Sequence, residues 1–71
     1  MSRTRLQLLG ENIKKYREQK GLKQTDIALG LDCSQEYICR VERGQKYLGL
    51  RKLFEIANIL NVECSNLINF K

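Results

Sequence analysis

The chain has 71 residues without histidine, proline or tryptophan, so it is bounded to one domain whose single small core is marginal unaided; dimerisation is the simplest further source of stability. No apolar run approaches membrane-spanning length and the N-terminus lacks the continuous apolar core of a signal peptide, so neither a membrane contact nor export is expected, and the expected location is cytoplasmic. Lys and Arg outnumber Asp and Glu by 13 to 8, with the excess in the first 25 residues, which favours a polyanionic partner without resembling a dense basic tail.

In chain order, Leu6, Leu9, Ile13 and Tyr16 recur at helical spacing, predicting a first helix to about Lys20 that stops at Gly21. Its opposite face carries Lys14, Lys15 and Glu18. A second helix is expected from about Gln24 to Leu31, with Ile27, Ala28 and Leu31 on one face. Small Ala28 permits a close helix crossing, while Gly30 costs about 1 kcal/mol relative to alanine and predicts a frayed end. Asp32 and Cys33 make a turn, aspartate tolerating the left-handed backbone. Ser34 then caps a third helix from Gln35 to about Arg43, with Ile38 and Val41 on its inner face and Gly44 as its stop.

Residues 45–49 read as a loop, and Gly49 is a weak cap for a fourth helix. Leu50, Leu53, Phe54, Ala57 and Leu60 form the stripe expected to face the core, and Asn61 closes the helix. A short last helix holds Leu67, Ile68 and Phe70, which pack beneath the bundle or against a partner. The fold class is therefore all-α, a compact bundle of five short helices forming one domain over residues 1–71. Two of those helices, joined by a capped turn between Gln24 and Gly44, have the form of a helix-turn-helix.

Catalysis is not expected. The chain has no histidine, no suitably paired carboxylates, no glycine-rich phosphate loop and no activated nucleophile. Cys33, Cys39 and Cys64 lack C-x-x-C spacing and a fourth ligand type, so they read as reduced, partly buried apolar residues; neither metal nor other cofactor is expected. A redox role for Cys39 would require a depressed thiol pKa.

The runs IKKYREQKGLKQTDIALGL, S-x-x-Y-I, VERG and LRKLFEIANILNV resemble the helix-turn-helix domains of the Cro and phage-repressor type, the XRE family, from Leu9 to Ile68. The resemblance implies a lambda-repressor-like bundle whose third helix enters the major groove of double-stranded DNA. It also implies a homodimer acting as a transcriptional regulator on a palindromic operator. The length and the Y-I-x-x-V-E-R-G run look most like small controller proteins of restriction-modification systems, with phage and plasmid repressors a near alternative. Lys23, Thr25, Asp32, Leu48 and Gly49 depart from the usual pattern at a cap, a turn and a loop. Lys23 in particular replaces the usual serine or threonine cap, which predicts a less firm start to the second helix.

On a wheel at about 100° per residue, Ile38, Val41 and Glu42 fall on one side of the third helix, and Glu36, Arg40 and Arg43 on the other. The outer side is the expected groove-facing one. Gln35 stands where the family makes its first base contact, and its amide suits adenine; Arg40 suits guanine, and Glu36 can accept from cytosine. Tyr37 reaches a thymine methyl or a phosphate, or packs against the bundle. Arg43, Lys23, Lys46 and Tyr47 are expected at phosphates, as is Gln24 beside the positive end of the second helix. In the family, the positions of Arg17 and Glu42 form a buried ion pair joining two helices. Leu67, Ile68 and Phe70 are expected to centre the dimer interface, and RNA polymerase is a further partner if binding activates. The alternative of another class is a protein-interaction module, such as the antitoxin of a toxin-antitoxin pair.

Overall fold

Five helices follow one another, α1 (Arg5–Gln19), α2 (Gln24–Leu31), α3 (Gln35–Glu42), α4 (Leu50–Leu60) and α5 (Cys64–Leu67), in a computed structural model that describes residues 2–70. Most of their boundaries have a local chemical cause. At the start of α1, Thr4 Oγ1 accepts from the Gln7 amide at 3.1 Å while Gln7 Oε1 accepts from the Thr4 amide at 2.8 Å. This reciprocal box satisfies two backbone donors that the helix leaves unpaired. The helix ends where Gly21 adopts a φ of 70° and the Leu22 amide turns back to the Arg17 carbonyl.

Lys23 supplies no side-chain cap to α2, since an ammonium has no acceptor. Asp26 compensates from within the helix by accepting from the Lys23 amide at 2.8 Å. Asp32 closes α2 with a φ of 55°, and Ser34 Oγ then accepts from the Tyr37 amide at 3.1 Å to open α3. Asn61 ends α4 in the same left-handed conformation as Asp32.

All five helices contribute to one core, including Ile13, Ile27, Ile38, Ile56, Leu60 and Leu67, each with no exposed side-chain surface. A Cα radius of gyration of 11.0 Å matches the roughly 11 Å expected of a single packed unit of this length. α1 approaches α3 closely at Gly10, where a built Cβ would lie 2.4 Å from the Val41 carbonyl oxygen and 2.5 Å from that of Glu42. Only glycine fits there. The absence of that side chain lets α1 lie directly against the end of α3.

Three expectations are corrected. In α4 the buried seam is Leu53, Ile56, Ala57 and Leu60, whereas Leu50 is 71% and Phe54 58% exposed. Leu50 and Phe54 lie roughly 60° and 100° round the helix from Leu53, on the flank turned from the core, and Ile56 takes the inward place. Leu67 is fully buried in its own chain. Its carbonyl also accepts from Asn12 Nδ2 at 2.8 Å, so it fastens α5 to α1 and has no surface for a dimer; Ile68 is exposed and Phe70 half-buried. Finally, α2 stays helical through Gly30, whose open side is filled by Ile59 of α4.

Candidate nucleic-acid interface

The chemistry-bearing surface is built on α3. Its inner side buries Ile38, Val41 and Glu42, its outer side exposes Glu36, Arg40 and Arg43, and Gln35 is exposed at its N-terminal edge. Arg40 Nη2 donates to Glu36 Oε2 at 3.0 Å, one helical turn apart. Glu36 thus engages the guanidinium expected to read guanine, and both side chains remain accessible. Ser34, Glu36, Tyr37, Arg40 and Lys46 line one groove on this side, which brings the expected base readers beside an expected phosphate contact.

Tyr37 is placed differently from Arg40. Its ring packs against the core, and its hydroxyl donates to the Tyr47 carbonyl at 3.2 Å. The packing alternative therefore describes it, and the bond pins the loop carrying Lys46 and Tyr47 against α3. The Tyr47 side chain itself is 86% exposed. Lys23 and Arg43 are exposed as well.

Behind this surface runs a continuous polar chain. Arg17 Nε and Nη2 donate to the two carboxylate oxygens of Glu42 at 2.6 and 3.1 Å, and Arg17 Nη1 donates to the Leu22 carbonyl at 2.9 Å. The hydrogen bond to Glu42 and its charge raise the Arg17 pKa above its ordinary value, against the opposing effect of burial. Gln24 Nε2 donates to Glu42 Oε1 at 2.9 Å, and Gln35 Nε2 donates to Gln24 Oε1 at 3.1 Å. Among the described residues, no buried side-chain nitrogen or oxygen lacks a hydrogen-bond partner, as a stable buried charge pair requires.

Lys14 joins the expected set from outside it, sharing a groove with Gln24, Cys39, Glu42 and Arg43. The signal was its position one turn before Arg17, on the side of α1 that meets the end of α3. Arg51 and Lys52 also cluster with Tyr37 at the start of α4, Lys52 Nζ lying 6.0 Å from the Tyr37 ring centroid. All three cysteines are free thiols and partly buried. Burial pushes the Cys33 thiol above its ordinary range, Lys52 opposing and Asp32 adding to the rise.

The helix-turn-helix family profile matches residues 13–67, from the middle of α1 to the end of α5. The chain belongs to the XRE-type helix-turn-helix family. That family is made of transcriptional regulators that bind double-stranded DNA and are not enzymes. An uncharacterised HTH-type transcriptional regulator, y4dJ of Sinorhizobium fredii, is 33% identical over 61 residues, covering 86% of this chain and 79% of the other. The ImmF control region 10 kDa protein of Bacillus phage phi105 is 36% identical over 55 residues, covering 78% of this chain and 61% of the phage protein.

Among solved structures, the restriction-modification controller protein C.AhdI from Aeromonas hydrophila superposes on this helix-turn-helix regulator with a TM-score of 0.82 and 31% identity. The match covers 87% of this chain and 94% of that one. The clp gene regulator ClgR from C. glutamicum has a TM-score of 0.88 at 21% identity, covering 94% and 87%, a likeness of fold alone. No helix among the described residues is long and apolar enough to cross a membrane.

Proposed function

We propose that this regulator is a sequence-specific reader of a palindromic operator, acting in the cytoplasm as a homodimer and controlling transcription in the manner of a small restriction-modification controller or phage repressor. The observation that carries this reading is the two-sided character of α3. Glu36 and Arg40 are exposed opposite buried Ile38, Val41 and Glu42, with Gln35 exposed at the N-terminal edge of the helix, and the Gln35 amide and Arg40 guanidinium match the donor and acceptor patterns of adenine and guanine in the major groove. Lys23, Gln24, Arg43, Lys46 and Tyr47 flank them and set position through phosphates, with Lys14 added on the same side. The 31% identity with C.AhdI over nearly its whole length supports the controller reading.

The dimer uses apolar surface that its own bundle leaves uncovered. Leu50 and Phe54 of α4 and Ile68 beyond α5 are each more than half exposed, and such residues supply the water-excluding centre of a stable interface. Two α3 helices then face successive turns of one side of the duplex. The test is selection of bound duplexes from a random pool, with the mass of the selected complex measured by sedimentation. A palindromic consensus bound by two protomers is expected. Single protomers on unrelated sequences would overturn the reading.

A further inference from the structure

From the ion pair on the outer side of α3 we infer that Glu36 and Arg40 read one G·C base pair as a unit, the guanidinium on guanine and the carboxylate on the N4 amino group of the paired cytosine. The inference rests on α3 being a base reader.

A carboxylate facing DNA is repelled by every phosphate it approaches, so its favourable partners there are donors. In the major groove the bases offer two, adenine N6 and cytosine N4. Arg40 decides between them by where it holds Glu36. Its Nη2 donates to Glu36 Oε2 at 3.0 Å, with the glutamate one turn nearer the helix start, the favourable order for such a pair. Lys46 lines the same groove, yet the carboxylate is engaged by Arg40. Tyr37 stands aside, its hydroxyl tied to the Tyr47 carbonyl.

The bond to Glu36 occupies one guanidinium N–H group, and a fork of two others meets guanine N7 and O6. In a Watson–Crick pair guanine O6 lies beside cytosine N4, its hydrogen-bond partner, so a carboxylate on that flank of the fork comes to the cytosine amino group. The opposite flank, beyond N7, faces the sugar-phosphate strand and repels it. Across the pair the two side chains thus present donor, donor, acceptor to acceptor, acceptor, donor. At the place of cytosine N4, A·T presents thymine O4 and C·G presents guanine O6, both oxygens that a carboxylate repels. T·A differs, since adenine N6 stands there as a donor. Glu36 therefore rejects A·T and C·G, whereas T·A is rejected by Arg40, which finds a thymine methyl group where guanine carries N7.

Arg40→Ala first identifies, on the selected duplex, the base pair whose preference depends on Arg40. Competition titrations at that pair then compare the four base pairs, and G·C carrying N4-methylcytosine, for the parent and for Glu36→Ala, a change at an exposed position that leaves the core intact. The methyl group replaces the groove-facing hydrogen of N4 and spares the one that pairs with guanine. The parent should prefer G·C by about tenfold or more and lose about tenfold on methylation. Glu36→Ala should lose less than about threefold on methylation, and its preference over A·T and C·G should fall about fivefold while that over T·A moves less than about twofold. A pair other than G·C, methylation without effect on the parent, or equal relaxation against all three wrong pairs would overturn the inference with base reading intact. A pool that yields no consensus would remove base reading itself.

Discussion

Arg17 of α1 and Glu42 at the end of α3 form a two-pronged ion pair, 9% and 6% exposed, whose carboxylate also receives the amide of Gln24. One buried carboxylate thus ties together the first three helices. Charges this far from water persist only when each is matched by the other and by hydrogen bonds. The pair serves as a joint between α1 and α3, and its energetic weight appears when one partner is removed.

Arg17→Ala should therefore lose about 3–5 kcal/mol of stability, because Glu42 is left charged and buried. For a domain of this size that is much of the total. Chemical denaturation of the variant and the parent measures the difference. Joint replacement by apolar residues, Arg17→Met with Glu42→Leu, should cost less than Arg17→Ala alone, since no stranded charge remains. A variant Arg17→Ala melting within a few degrees of the parent would show that the pair is solvated.

Two glycine substitutions should have opposite outcomes although both gain helix propensity. Gly10→Ala drives a methyl group to 2.4 Å from a backbone oxygen of α3, and overpacking against rigid neighbours costs about 1–3 kcal/mol. Gly30→Ala meets the end of the Ile59 side chain at 2.7 Å, which can rotate away, so the propensity gain of about 1 kcal/mol should largely survive. Thermal melts of both variants make the comparison, and a greater loss for Gly30→Ala would contradict the packing described.

The Cys33 thiol should be slow to react in the folded chain. Its pKa is raised by burial, with Asp32 adding to the rise, so the folded state favours the neutral thiol. The associated stability is fully present below the ordinary thiol value and is lost as pH rises through the raised one. Iodoacetamide at mildly alkaline pH should modify Cys33 faster in denaturant than in the native protein. Equal rates after correction for the reagent would contradict the burial of the thiol.

Arg40→Ala and Lys46→Ala should separate reading from anchoring. The first should cost about 1–3 kcal/mol on the selected duplex and relax preference at one base pair. The second should weaken all duplexes alike and lower the salt slope by about one counterion. Quantitative competition against random DNA reads both, and equal losses for specific and random DNA with Arg40→Ala would remove its assignment.

Where local chemistry decides, the sequence was legible. Gly21, Ser34, Gly44 and Asn61 act at helix ends through their own backbone or side-chain preferences, and Asp32 takes the left-handed turn expected of it. Thr4 and Gln7 carry a signal of the same kind, an N-terminal box, which the apolar spacing that begins at Leu6 leaves unread. The inward face of α4 was not legible, because Leu50, Phe54 and Ile56 are all apolar and only packing against α1, α2 and α5 chooses among them. Leu67 was ambiguous for another reason, since a one-turn helix has too little periodicity to declare a face. The outer residues of α3 could be named from a helical wheel, whereas the chain from Glu42 through Gln24 to Gln35 joins positions 18 and 11 residues apart and exists only once α2 and α3 are packed.

Whether α3 distinguishes sequences is read by titrating the selected duplex and a random duplex across a series of salt concentrations. Specific binding should exceed non-specific binding by about 10³ or more, with a ratio that persists as salt weakens both. A ratio near one, with the same salt slope for both duplexes, would mean that only the protein's positive charge is seen by DNA, and the account of α3 as a reader would be contradicted.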